Sequence, residues 1–278
     1  ILADKYDFEL FAYRTRKGES PNSLGIKEIY EWSEVKKIQP DVAFITNPTF
    51  LHIDTAIKCA KLNMKLFIEK PIGCTLKNLN LLLKEVSRRK LVSYVAYNLR
   101  FHPLITFLKE YLKSKKIYHV VIYNSSYLPN WRPHQDHLKS YSANTQEGGG
   151  VILDLSHEFD YIEYLFGNIK SIDGVFGKAS NVTRDSEDFM DAAIVVKRAV
   201  VNLHQNFLSL NKERIIKIDC RDEFIASNII TAEVTVTDKK ASRVKRLDYD
   251  INKMYCSQIQ YFFDNIDLTD ERLIRTPI

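Results

Sequence analysis

The stretch Pro40-Asp41-Val42-Ala43-Phe44-Ile45-Thr46-Asn47-Pro48, and its echo Met64-Lys65-Leu66-Phe67-Ile68-Glu69-Lys70-Pro71, decide the fold. Each is a short β-branched and aromatic run that stops at a polar residue and a proline, as a buried strand does on leaving a sheet. Between them, Phe50 to Leu62 places Ile53, Ile57 and Ala60 on one helical face. Leu76 to Arg89 does the same with Leu79, Leu82, Leu83 and Val86, and Leu91 to Tyr97 supplies another strand ending at Asn98. Toward the N-terminus, Phe8-Glu9-Leu10-Phe11-Ala12-Tyr13 reads as a strand that stops at Arg14-Thr15-Arg16. Strand and helix alternating at this spacing mean βαβ units and a parallel sheet.

Ligands of such a sheet bind at the carboxyl ends of its strands. That rule nominates Arg14, Thr15 and Arg16; Thr46, Asn47 and Pro48; Glu69 and Lys70; and Asn98 with Arg100. In a dinucleotide fold the first of these ends carries an acid for a ribose 2′-hydroxyl or an arginine for a 2′-phosphate. Arg14 and Arg16, either side of the Thr15 hydroxyl, favour the phosphate, so NADP is expected ahead of NAD. The plainer alternative is a solvated basic turn before Gly18. The chain has nine glycines, and no set of them fits G-x-G-x-x-G or G-x-x-x-x-G-K-[ST]. The glycine motif stands about 20 residues before the strand end it serves. Counting back from Arg14 passes Ile1, so the first strand and its glycine turn are expected upstream of this sequence.

The remaining bounds are broad. The 278 residues, long enough for two domains or one large one, carry 45% hydrophobic and 27% charged side chains, the composition of a folded globular chain. Forty basic and 35 acidic residues leave a net charge of +5, and the lysines are spread along helices rather than gathered in a nucleic-acid stripe. No apolar run is long enough for a bilayer, and Ile1-Leu2-Ala3-Asp4 has no signal-peptide pattern. The four scattered cysteines read as thiols of a reducing compartment. A cytoplasmic protein without membrane or nucleic-acid partners is therefore expected.

The second half changes period. Strand-like runs recur at 118–126, 169–176, 192–196, 200–207, 215–220 and 232–237, with the short connections of antiparallel neighbours. Lys197-Arg198-Ala199 barely allows a hairpin loop, so either the flanking strands end early or residues are absent there. Gly148-Gly149-Gly150 is followed by a helical pattern and no lysine; it suits a tight backbone approach rather than a phosphate loop. Ahead of it, Tyr127 to His137 is a polar and aromatic loop in which Trp131 and Arg132 suit a sugar face or a cofactor's phosphates. His134, Asp136 and His137 have the donor types of a zinc site, but such clusters arise casually in polar loops and no metal is expected. His204 and Asn206 share one face of a strand. They read equally as substrate contacts or as a hydrogen-bonded core pair.

The E-K-P of Glu69-Lys70-Pro71 stands in an ordered set, after Thr46-Asn47-Pro48 with His52 and before Tyr97-Asn98-Leu99-Arg100-Phe101-His102-Pro103. The run Gly148-Gly149-Gly150-Val-Ile-Leu-Asp154-Leu-Ser-His157-Glu-Phe-Asp160 completes it. Together they resemble the Gfo/Idh/MocA family of NAD(P)-dependent oxidoreductases over residues 8 to 265. The resemblance implies an α/β chain: an N-terminal Rossmann domain over 1–103, then a C-terminal α+β domain over 104–278 with a large, mainly antiparallel open sheet. It implies hydride transfer between nicotinamide C4 and a carbon of a sugar, polyol or sugar nucleotide. Lys70, His157 and Asp154 would be catalytic, and Lys70, Arg100, Asp154, His157 and His204 would meet the substrate. Arg14, Thr15, Arg16, Thr46, Asn47, Pro48, His52, Glu69, Lys70, Asn98, Trp131 and Arg132 would hold the cofactor. The exposed sheet face would join a homodimer or homotetramer, and the bond before Pro71 is commonly cis in relatives.

One departure stands out. Many members have D-x-x-x-H-x-x-D, whereas here Asp154 and His157 are three steps apart with the H-x-x-D spacing to Asp160 kept. A three-residue step still shares a helix face, but Asp154 then reads equally as a helix N-terminal charge. Asp160 and Glu158 read as anchors. Two rivals differ in class. One is a catalytically inactive ligand-binding or regulatory protein of the same fold, distinguished by whether the glycine motif stands upstream. The other is a metal hydrolase on His134, Asp136 and His137, distinguished by the activity of metal-free protein.

Overall fold

The computed structural model describes residues 8–15 and 25–266. Arg16, one of the proposed cofactor contacts, lies outside them. Strands β1 (Phe11–Tyr13) and β2 (Lys27–Ile29) form a parallel pair, followed by helix α1 (Trp32–Ile38). Strand β3 (Val42–Ile45), helix α2 (His52–Lys61), strand β4 (Lys65–Ile68), helix α3 (Leu79–Arg89) and strand β5 (Ser93–Val95) follow. Their sheet order is β3-β4-β5, and both pairings are parallel. The β2 and α1 segment was not read from the sequence, because Lys27-Glu28-Ile29 is too short and charged to look like a strand.

Helix α2 buries Ile53, Ala56, Ile57 and Ala60 beneath this sheet. Helix α3 begins at Leu79, three residues later than the periodicity indicates, and buries Leu79, Leu82 and Val86. Leu83, expected on the same face, is 40% exposed. It sits one residue around from the buried stripe, at the margin of the contact with α2.

Helix α4 (Pro103–Tyr111) leads into the second layer. His102 caps it, with Nδ1 accepting the Leu104 N–H at 3.2 Å and Pro103 in the first turn. After strand β6 (Ile117–Tyr127) come helices α5 (Val151–Asp154) and α6 (His157–Phe166). Strands β7 (Ile169–Gly177), β8 (Phe189–Val196), β9 (Val200–Asn206), β10 (Leu208–Cys220), β11 (Glu223–Asn228), β12 (Glu233–Asp238) and β13 (Ser242–Arg246) complete the sheet. Its order is β13-β12-β11-β10-β6-β9-β8-β7, antiparallel throughout except for the β6–β9 pair.

One face of this eight-stranded sheet is packed by α4 and α6 over a core that includes Leu104, Ile105, Val120, Ile122, Tyr161, Phe166, Ile194 and Ile216. The other face is uncovered among the described residues. Strand β8 alternates buried and exposed residues along its length, as a sheet with one wet face requires. The connection at Lys197-Arg198 is a closed two-residue turn: the Val196 N–H donates to the Ala199 carbonyl at 3.1 Å, and Val195 pairs with Val200. The Arg198 guanidinium pins it from beneath, donating to the carbonyls of Leu112 and Lys115. Early-ending strands or absent residues are therefore not needed there.

Helix α7 (Ile251–Asp264) returns to the first sheet, where Phe262 packs with Phe67, Val92, Tyr94 and Ala96. The parallel sheet is thus covered by α2 and α3 on one side and by the last described helix on the other.

Candidate active site

Strand β4 ends at Glu69, and the Lys70–Pro71 bond that follows is cis. The Lys70 side chain is aimed at the second layer, where its Nζ donates to the backbone carbonyl of Asp154 at 2.6 Å. The Asp154 side chain is buried, and its Oδ2 has no partner. Burial pushes the Asp154 carboxyl up, against the opposing influence of Lys70, Ser142, Tyr141 and Arg132. The Lys70 ammonium is pushed down by the same burial, against Asp154 and Glu69. Glu69 is also raised by burial; its Oε2 accepts the Lys70 backbone N–H at 3.2 Å.

His157 starts α6 with its ring edge-on to Tyr97, centroids 5.7 Å apart. Burial holds its imidazole well below the ordinary value of 6.5, and the charges of Lys70 and Arg214 add to that. Its Nδ1 is enclosed and has no partner in the protein. The structure thus brings Lys70, Asp154 and His157 together, but not along one helix. The helix is interrupted at Leu155-Ser156, and the two acidic and imidazole side chains stand on either side of the break.

Three candidates from the sequence have other duties. His52 is only 2% exposed, and its two ring nitrogens lie 2.8 Å from the Pro71 carbonyl and 2.7 Å from the Asn47 carbonyl. It is a strut between two strand ends. Arg100 forms a fork with Asp160, Nε and Nη2 donating to the carboxylate at 2.9 and 2.6 Å, and lies over the Tyr164 ring. This pair clips the segment after β5 to α6. His204 is on the open face of the large sheet, bound to Asp191 at 2.7 Å and stacked on Tyr123. It lines a shallow groove of about 400 Å³ with Val121, Ala193 and Asn202, away from Lys70. The inward neighbour, Gln205, is the one that reaches the site, through the Leu155 carbonyl at 2.7 Å.

The remaining positions are mixed. Arg14 is ion-paired with Glu28 at 2.9 Å, and the Tyr30 hydroxyl donates to the same carboxylate. Thr15 and Thr46 are exposed at the ends of β1 and β3, with Pro48 close behind. Asn47 donates to Thr55 Oγ1 at 2.9 Å, while its Oδ1 and that of Asn98 are buried without partners. The Trp131 indole donates to Ser126 Oγ at 3.0 Å and packs edge-on against Phe207, while the Arg132 guanidinium lies over the Tyr141 ring. The Tyr141 hydroxyl, which the sequence reading passed over, is pushed up to about 12 by burial and by the neighbouring Asp154. Also unforeseen was the Glu158–Arg214 pair, a two-pronged contact at 2.7 and 2.9 Å under α6. Asp136 caps the Leu138 N–H, and among the described residues no three His, Cys, Asp or Glu side chains gather as a metal centre. No helix among the described residues is long and apolar enough to cross a membrane.

The triple glycine serves this assembly sterically. A Cβ on Gly149 would lie 2.1 Å from the Tyr141 carbonyl oxygen, and one on Gly150 would strike the Glu187 carboxylate. Gly148, at φ +82°, leans on Thr49 and Cys74 of the first layer. The backbone is thereby brought into contact with three other segments just before the helix that carries Asp154.

A parallel nucleotide-type sheet whose strand end carries a lysine, met by an aspartate and a histidine of a second, open-sheet layer, defines an NAD-binding oxidoreductase architecture. Residues 9–97 match the profile of the oxidoreductase family with an NAD-binding Rossmann fold, and residues 105–225 match the Gfo/Idh/MocA C-terminal domain. The chain belongs to the Gfo/Idh/MocA oxidoreductase family. It is 23% identical over 268 residues to myo-inositol 2-dehydrogenase of Thermotoga maritima, covering 90% of this chain and 77% of that protein. It is 26% identical to levoglucosan dehydrogenase of Pseudarthrobacter phenanthrenivorans over 48% of this chain and 35% of that one. Among solved structures, a levoglucosan dehydrogenase in complex with NADH and levoglucosan superposes with a TM-score of 0.76 at 18% identity, covering 86% of this chain and 74% of that one. UDP-N-acetylglucosamine 3-dehydrogenase from Acidithiobacillus ferrooxidans gives 0.70 at 18% identity, covering 87% and 74%.

Proposed function

We propose that the chain is a dehydrogenase that exchanges a hydride between a nicotinamide coenzyme and a ring carbinol carbon of a sugar, polyol or sugar nucleotide. The observation that carries this reading is the meeting of Lys70 with Asp154 and His157 at the end of β4, where two proton-handling side chains are both driven toward their neutral forms. The residues present suit a dinucleotide. Asn47 Oδ1 and Asn98 Oδ1 are buried acceptors without a donor at the ends of β3 and β5, where hydroxyl or carboxamide donors would satisfy them. A bound nicotinamide supplies the hydride acceptor for oxidation, or the donor for reduction.

The protein's own part is proton placement. Lys70's charge disfavours a second cation nearby, so the pair holds one proton on Lys70 and leaves His157 neutral. Lys70 donates a hydrogen bond to the reacting oxygen, and neutral His157 takes the hydroxyl proton as the C–H bond breaks. In reduction the same proton returns to the forming alkoxide. Asp154 holds Lys70 through its carbonyl and faces it with a carboxyl. Trp131 and Arg132 offer a flat apolar edge and a cation to the ring or the coenzyme phosphates.

On coenzyme choice, the Arg14–Glu28 pair weighs against the NADP expectation. A carboxylate at 2.9 Å neutralises the guanidinium that a 2′-phosphate would need and repels the phosphate itself. NAD(H) is therefore the reading, and Glu28→Gln should raise NADPH affinity about tenfold relative to NADH. The four thiols are free, as a reducing compartment such as the cytoplasm keeps them. Fluorescence titration of the full-length protein with NADH and NADPH tests the reading. Binding of neither would sink it; binding followed by reduction of NAD by a cyclic polyol or sugar would establish it.

A further inference from the structure

We propose that Gln205 is a positioning residue for Lys70, acting by holding open the helix break between α5 and α6. In an uninterrupted helix the Asp154 carbonyl would accept the N–H four residues on, from Glu158. Here the Glu158 N–H turns back to the Leu155 carbonyl at 3.3 Å, which frees the Asp154 carbonyl. That oxygen is the one that takes the Lys70 ammonium at 2.6 Å. The proton-transfer lysine of one layer is therefore aimed by a backbone acceptor that exists only because the other layer's helix is interrupted.

Gln205 is what fixes the interruption. It is fully buried on the inward face of β9, and its Nε2 donates to the Leu155 carbonyl at 2.7 Å. The Leu155 oxygen thus accepts from both Gln205 and Glu158, so it has no need of a regular helical partner. The residue after the break is pinned as well. Glu158 meets Arg214 of β10 at 2.7 Å, and its carboxylate accepts from the Tyr161 hydroxyl at 3.2 Å. The break is thus held by the large sheet at two points, one on its carbonyl side through Gln205 and one on its amide side through Glu158. The three-step spacing from Asp154 to His157 becomes intelligible: the residues at the break, Leu155 and Ser156, are the only ones that separate the two helices.

This inference rests on Lys70 as the proton-transfer residue, so its test has a part that needs no turnover. Acetic anhydride is applied to the whole protein, and the acetylation rate of each lysine is read by peptide mass spectrometry. In Gln205→Leu, Lys70 should react at least fivefold faster, while exposed lysines such as Lys84 keep their rates. NADH affinity should stay within twofold, and kcat should fall ten- to a hundredfold with KM for substrate little changed. Gln205→Glu keeps the side chain's shape if the apolar variant does not fold. Its carboxyl, beside the Glu158–Arg214 pair, donates to Leu155 only when protonated, so Lys70's acetylation rate, taken relative to wild-type Lys70 at the same pH, should return toward one as the pH is lowered. Unchanged Lys70 reactivity in a folded Gln205→Leu, or pH-independent protection in Gln205→Glu, would overturn the proposal. Should the wild-type protein bind no nicotinamide nucleotide, the dehydrogenase reading falls and the acetylation contrast still decides on Gln205.

Discussion

Lys70 and His157 carry the proposed proton transfer. Lys70→Ala removes the donor to the reacting oxygen, and turnover should fall by about 10²–10⁴-fold with NADH binding kept; steady-state kinetics beside fluorescence titration would show it, and unchanged turnover would remove Lys70 from the mechanism. A second histidine bears on stability. His102 is 1% exposed, its Nδ1 must stay unprotonated to accept the Leu104 N–H, and its Nε2 has no partner. Burial, with Arg214 adding to it, holds its pKa at about 4 against an ordinary 6.5. The folded-state value is depressed, so between pH 6.5 and 4 the unfolded chain binds the extra proton. Stability from this group is therefore intact above pH 6.5 and lost as the pH falls toward 4, by on the order of 3 kcal/mol. Urea midpoints at pH 7 and pH 4.5 should show a smaller acid loss in His102→Asn, where an amide keeps the cap and cannot titrate.

Elements were legible in proportion to their periodicity. Strands β3, β4 and β5 and helix α2 announce themselves because their apolar runs are bounded by Pro40, Pro48 and Pro71 or by polar strand ends. The break between α5 and α6 has no such mark, since its cause is the distant Gln205 and not a proline or glycine within it. Gln205 itself was passed over for a reason of parity. In Val201-Asn202-Leu203-His204-Gln205 the buried members are Val201, Leu203 and Gln205, and the polar third member of that inward set is the informative one. His204 drew attention as a histidine, but one step along a strand changes the face. At this scale the triple glycine makes a prediction. Gly149→Ala would press a methyl into the Tyr141 and Ser142 backbone. It should cost about 1–3 kcal/mol in thermal or urea unfolding. A neutral outcome would mean that the 141–142 turn yields freely.

On the scale of the whole molecule, one face of the large sheet is left uncovered by the described residues. Val175 of β7, Val195 of β8 and Val200 of β9 are exposed on it. A second copy of the chain is the proposed cover, and Val175→Asp with Val195→Asp should lower the sedimenting mass of the oligomer toward that of a single chain. No change in mass would remove this face as the contact. The helix α7 has a different consequence. Its Phe262, 1% exposed, closes the side of the parallel sheet formed by Phe67, Val92 and Tyr94. Phe262→Ala should cost about 3–5 kcal/mol, although the residue lies far along the chain from the sheet it protects. A polypeptide ending near residue 103 would be released from the ribosome with one flank of its nucleotide-binding sheet bare. Order of synthesis and order of completion thus part company: the parallel sheet is finished by a helix made only after the large sheet that follows it.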